Sequence, residues 1–131
     1  MEQENRQNKI MEFSLLENQL KQIEQQIILL DQQISKQQNL MQTLDEFKKT
    51  GENSEIFLPF SDELFVKAKL LDNKNLLINV GGNTFVKKDI DGVKKTIQKQ
   101  IDKLMSVRKE LSLEIDKILQ GMLRIEKEIK G

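Results

Sequence analysis

Cysteine, histidine, tryptophan and tyrosine are absent from the 131 residues, and proline occurs once. Disulfides, thiolate or imidazole metal sites, and catalysis by a cysteine or histidine are thereby excluded. Excess charge is also lacking, because 21 Lys and Arg balance 21 Asp and Glu. Such a chain has no global field to attract nucleic acid or an anionic membrane, so its partners are expected to be proteins. Long hydrophobic runs are missing too. The opening MEQENRQNKIMEF has no apolar stretch of signal-peptide length, and Ile27–Leu30 is far too short to cross a bilayer. The expectation is a soluble, cytoplasmic protein. Aromatics at 5% and charged residues at 32% leave too little bulky apolar material for a conventional globular core, which predicts an elongated form.

What the chain does contain is heptads. Phe13, Leu16, Leu20, Ile23, Ile27, Leu30, Ile34, Gln37, Met41 and Leu44 step by three and four residues, with only Gln37 polar. Gln, Glu and Lys fill the remaining faces, and Gly51 is the expected stop, so the first helix is predicted over 4–49. A second seam follows the candidate N-cap Asp89, through Ile90, Val93, Ile97, Ile101, Leu104, Leu111, Ile115, Ile118, Met122, Ile125 and Ile129. The step pattern slips around Val107 and Arg108, which marks either a local change in coiling or, as the preferred reading, an arginine whose stem covers the seam while its head reaches water. At about 1.5 Å per residue the two seams match in length and can pair antiparallel.

Between the helices, residues 54–88 alternate in the manner of strands. Ile56, Leu58 and Phe60, then Leu64, Val66 and Ala68, flank a turn at Ser61-Asp62; Leu76, Ile78 and Val80, then Phe85, flank Gly81-Gly82-Asn83. Two hairpins of this size have no body of their own to pack upon. They are expected to be an oligomerisation module, built on Ile56, Leu58, Phe60, Leu64, Val66, Leu76, Ile78, Val80 and Phe85. Gly81-Gly82-Asn83-Thr84 lacks the lysine and following helix of a phosphate loop and is expected to be a turn.

The order helix, FLPFSDELFVKAKLLDNKNLLINVGGNTFVKKDID, helix resembles the prefoldin family over nearly the whole chain, and its two hairpins are similar to the archaeal α class. At Asp62 to Phe65 the chain departs from the family pattern of a small residue and an aromatic. The implied fold is mainly α with a small β part: a long antiparallel two-helix coiled-coil hairpin with two β-hairpins between the helices. It forms a single domain, 1–131, divided into 4–49, 54–88 and 89–130. The resemblance further implies a hexamer of two α and four β subunits that captures unfolded proteins at its arm tips without ATP and passes them to a group II chaperonin.

Near the termini the apolar residues exceed what a seam can cover: Ile10, Met11, Leu15, Leu119 and Leu123 lie beside Phe13, Leu16, Met122 and Ile125. Client binding is therefore expected at Ile10, Met11, Phe13, Leu15, Leu119, Met122, Leu123 and Ile125. Methionine suits varied surfaces because its side chain is flexible and polarizable. No catalytic, cofactor or metal site is expected, since carboxylates such as Asp45-Glu46, Glu126 and Glu128 lie on exposed helical faces. The competing reading is a structural coiled-coil assembly protein with one fixed partner.

Overall fold

The computed structural model describes residues 1–131. In chain order it contains α1 (Glu2–Lys49), β1 (Glu55–Pro59), β2 (Phe65–Lys69), β3 (Asn75–Gly81), β4 (Thr84–Asp89) and α2 (Ile90–Lys130). These elements divide into two compact units, one of residues 36–101 and one of residues 1–35 with 102–131.

In the unit of residues 36–101 the helices run antiparallel. Lys48 pairs with Asp91 at 3.0 Å and Asp45 with Lys94, so three steps back along α1 match three steps forward along α2. Leu44, Ile90, Val93, Ile97 and Ile101 form the buried core, with Met41, Phe47, Leu76 and Ile78 packed against it. Here the heptad spacing changes. Four-residue steps join Val93, Ile97 and Ile101, and three-residue steps join Met41, Leu44 and Phe47. Equal successive steps swing an apolar line around its helix, which lets the core serve Leu76 and Ile78 of β3 as well as the opposite helix.

The strands form two separate two-stranded sheets, β1–β2 and β3–β4. In the first, Ile56 pairs with Ala68, Phe57 with Lys67, Leu58 with Val66 and Pro59 with Phe65. In the second, Leu76 pairs with Lys88, Leu77 with Lys87 and Ile78 with Val86, before a bulge between Asn79 and Gly81. The Gly82-Asn83 turn carries φ of 57° and 59°, the two positive angles of a type I′ hairpin, and Gly81 adds 117°. The glycines therefore serve chain reversal.

α1 ends at Lys49, ahead of the expected stop at Gly51, and the left-handed conformation that follows it falls at Asn53 (φ 65°). The carbonyls at the helix end are met by side chains: Thr50 Oγ1 donates to Glu46 O at 3.1 Å, and Asn73 Nδ2 donates to Thr50 O at 2.9 Å. α1 also begins two residues earlier than predicted, where Glu2 and Glu4 complement the helix dipole. Asp89 stands immediately before α2, and its carboxylate lies over the first turn: a Cβ on Gly92 would sit 2.6 Å from Asp89 Oδ1.

In the unit of residues 1–35 with 102–131, Phe13, Leu16, Leu20, Ile23, Ile27, Leu30 and Ile34 are all at least half shielded, as are Leu104, Leu111, Ile115, Ile118, Met122, Ile125 and Ile129. Ile23, Ile34, Ile118 and Ile125 are buried. At Val107 and Arg108 there is no local change in coiling to account for, because the arginine stem covers the seam as expected. Arg108 occupies the seam position between Leu104 and Leu111, its stem half-buried, while Nε donates to Asp31 Oδ1 at 2.6 Å and Nη2 to Oδ2 at 3.4 Å. That fork keeps the guanidinium solvated on one side and paired on the other. Lys9 and Glu128, 3.5 Å apart, bring the first turns of α1 beside the last turns of α2.

Candidate functional site

Two apolar surfaces stand out, one in each unit. On β1–β2, directly opposed residues share a face, so Ile56, Leu58, Val66 and Ala68 lie together, extended by Phe60 and Leu64 across the turn. Leu58, Phe60, Leu64 and Val66 are 48–77% exposed. The opposite face shows Phe57 and Phe65, also exposed, beside the Glu55–Lys67 ion pair of 3.0 Å. An isolated hairpin that presents aromatics on both faces and unpaired edges on both sides is a template for pairing with another chain.

The nine residues expected to mediate assembly do not behave alike. Leu76 and Ile78 pack on the helix core of their own chain, because the bulged β3–β4 hairpin lays one face against α1 and α2. Ile56 is half-buried, whereas Leu58, Phe60, Leu64, Val66, Val80 and Phe85 are open. Sequence reasoning did not assign Phe57, Phe65, Leu71, Leu77 and Val86, which are equally open. Phe57 and Phe65 were among the strand residues expected to need partners from other chains, but the alternation set them opposite the assembly face.

The second surface lies near the chain ends. Ile10, Met11, Leu15, Leu119 and Leu123 are 47–65% exposed. Phe13 and Met122 are half-shielded seam residues, and Ile125 is 7% exposed, inside the seam. The ends therefore present five outward apolar side chains beside three inward ones. Ile28, Leu29, Met105, Val107 and Leu113, none of them expected from sequence to bind clients, are also exposed on this unit. Their signal was present as apolar residues at heptad positions outside the seam.

Electrostatics do not build a reactive centre. Three hydrogen bonds hold the Asp72 carboxyl below the usual carboxylate range, first that from the Lys74 amide and then those from the Asn75 side chain and amide. Lys48 lowers Asp91 through its hydrogen bond and charge, and Asp31 raises Arg108 in the same way. Each belongs to a turn or helix pair. No helix is long and apolar enough to cross a membrane.

The family model described as prefoldin subunit matches residues 16–131. Among curated proteins, the prefoldin subunit alpha of Methanobrevibacter smithii is 33% identical over 104 residues, covering 79% of this chain and 65% of that relative. The prefoldin subunit alpha of Methanococcus vannielii is 23% identical, covering 95% of this chain and 83% of the relative. A chain from the cryo-EM structure of filamentous PFD from Methanocaldococcus jannaschii superposes with a TM-score of 0.73 at 23% identity, covering 90% of this chain and 95% of that one, and shows the shared fold. With two long helices, two intervening hairpins and a family match over nearly nine-tenths of its length, the chain belongs to the prefoldin family of chaperone subunits, and its relatives are of the α class.

Proposed function

We propose that the chain is the α-type subunit of a cytoplasmic hetero-hexamer with two α and four β subunits, which holds unfolded proteins without ATP and passes them to a group II chaperonin. In this reading it is not an enzyme and needs no cofactor. One domain, 1–131, then divides into helix 4–49, assembly segment 54–88 and helix 89–130. The hairpins supply assembly, through Leu58, Phe60, Leu64 and Val66 above all. The helix ends supply capture.

The observation that carries the proposal is the cluster of exposed apolar side chains at Ile10, Met11, Leu15, Leu119 and Leu123, on ends that Lys9 and Glu128 bring together. Burying one such side chain contributes roughly 1.5–3 kcal/mol before ordering costs, so a single subunit grips a client weakly and reversibly. Several subunits around one client add avidity through effective concentration. Phe13, Met122 and Ile125 join the surface when the ends fray.

The test is removal of about a dozen residues from each end of the chain in a complex with a β-class partner. Assembly should persist while protection of an unfolded client disappears. Unchanged protection would refute capture at the helix ends, and binding of one fixed partner without protection of unrelated clients would favour the structural coiled-coil reading.

A further inference from the structure

The β1–β2 hairpin stands on two feet. One leaves α1 through Thr50 and ends at Ser54; the other returns from β2 through Leu70 to Asn73. The base of the hairpin is closed by Asn53 N–H donating to Leu70 O at 2.6 Å and Leu70 N–H donating to Ser54 O at 3.0 Å. Beyond that base, the side chain of Asn73 joins the feet: Nδ2 donates to Thr50 O at 2.9 Å and, more weakly, to Lys48 O at 3.5 Å.

Asn73 is itself held from the other side. The Asp72 carboxylate accepts the amides of Lys74 and Asn75, at 2.7 and 3.3 Å, which tightens the turn, and the Lys74 carbonyl accepts the Ile90 N–H at 2.9 Å. The root of the hairpin is thus tied to the last turn of α1 and the first turn of α2. The apolar residues that seat a hairpin on the helix core, Leu76 and Ile78, belong to β3 of the other hairpin. The Oδ1 of Asn73 is buried without a partner, an unfavourable arrangement that the donor side of the amide must offset.

We propose that Asn73 is a positioning residue for assembly: by joining the two feet it presents the Leu58, Phe60, Leu64 and Val66 face to a neighbouring subunit already oriented. The inference rests on the assembly role proposed above. Orientation fixed in advance lowers the ordering cost of association, so loss of this bond weakens assembly more than it weakens the helical core.

The test uses the full-length chain beside Asn73→Ala and Asn73→Asp, the second keeping the shape while losing the donor. Each is titrated with a purified β-class prefoldin subunit, and hydrogen exchange is followed at residues 51–72 and 90–101. Both variants should assemble about three- to ten-fold more weakly, the range set by the net worth of one hydrogen bond, with faster exchange confined to 51–72. Unchanged assembly, or exchange rising equally through 90–101, would overturn the positioning role. Failure of the unsubstituted chain to assemble would overturn the assembly role itself and this inference with it.

Discussion

Ile97→Ala probes the packing logic most sharply. Ile97 is 5% exposed and belongs to the cluster of Leu44, Ile90, Val93 and Ile101, with Met41, Phe47, Leu76 and Ile78 around it. Truncation to alanine removes three carbons and leaves a cavity, a change that costs about 2–5 kcal/mol in well-packed cores. No side chain of this protein is fully enclosed, so neighbours can relax inward, and the expected loss is at the lower end, about 2–3 kcal/mol. For a chain of this size that lowers the melting temperature by roughly 6–12 °C, read from the helical circular dichroism signal. Leu123→Ala, at a position 56% exposed, should change stability by no more than about 0.5 kcal/mol in the same assay. Equal losses for the two variants, or a loss at Leu123 exceeding that at Ile97, would refute the assignment of one to the core and the other to the surface.

Three further outcomes follow from local geometry. Alanine substitution should differ between two helical glycines. Gly121→Ala places a Cβ in ordinary contact, 3.5 Å from Leu16 Cδ1, and should stabilise by about 0.5–1 kcal/mol, whereas Gly92→Ala must displace the exposed Asp89 carboxylate from the first turn of α2 and should gain less; thermal melts of both decide it, and a larger gain at Gly92 would refute the reasoning. A double-mutant cycle on Asp31 and Arg108, both nearly half exposed, should return a coupling below about 1 kcal/mol, and Arg108→Leu should be neutral or stabilising because it completes the apolar seam. Asp72 is held below its ordinary pKa in the folded chain, so its contribution is present above the unfolded-state value and is lost as pH falls toward the folded value. Asp72→Ala should therefore flatten the fall in stability of the isolated chain at acid pH, measured by urea titration over a pH series.

The seams were legible because Ile and Leu at three- and four-residue spacing have one geometric use, and every seam position named from Phe13 to Leu44 is at least half shielded. Gly81-Gly82-Asn83 was legible as a turn for a comparable reason, since few residues other than glycine and asparagine accept its positive φ angles. Arg108 was legible as a side chain whose stem covers the seam while its head reaches water, and only its partner Asp31 was not. The pattern misled where tertiary packing overrides periodicity. Leu76 and Ile78 read as part of a free strand, but the rotation of the helical apolar line toward β3 gives them an intramolecular partner. Gly51 looked sufficient to stop α1, and nothing in its neighbourhood announces that Asn73, twenty-two positions later, supplies a donor to the helix end. Long-range side-chain capping leaves no local signature.

Alternation also has limits on an unpartnered hairpin. It separates two faces, but it cannot say that both are open, so Phe57 and Phe65, visible as strand aromatics without a body to pack upon, were left out of the assembly face. Near the chain ends the excess of apolar residues was visible by count. The spacing also separated Leu123, beside the seam, from Ile125, within it, and the two are 56% and 7% exposed.

The most direct test of the central claim measures light scattering as a chemically unfolded client is diluted into the complex with a β-class partner. The unsubstituted complex is compared with one in which Ile10, Met11, Leu15, Leu119 and Leu123 are all serine. These side chains face solvent, so the substituted chain should fold and assemble as before while suppression of aggregation is lost. Full suppression by a correctly assembled, substituted complex would contradict capture of clients at the outward apolar faces of the helix ends.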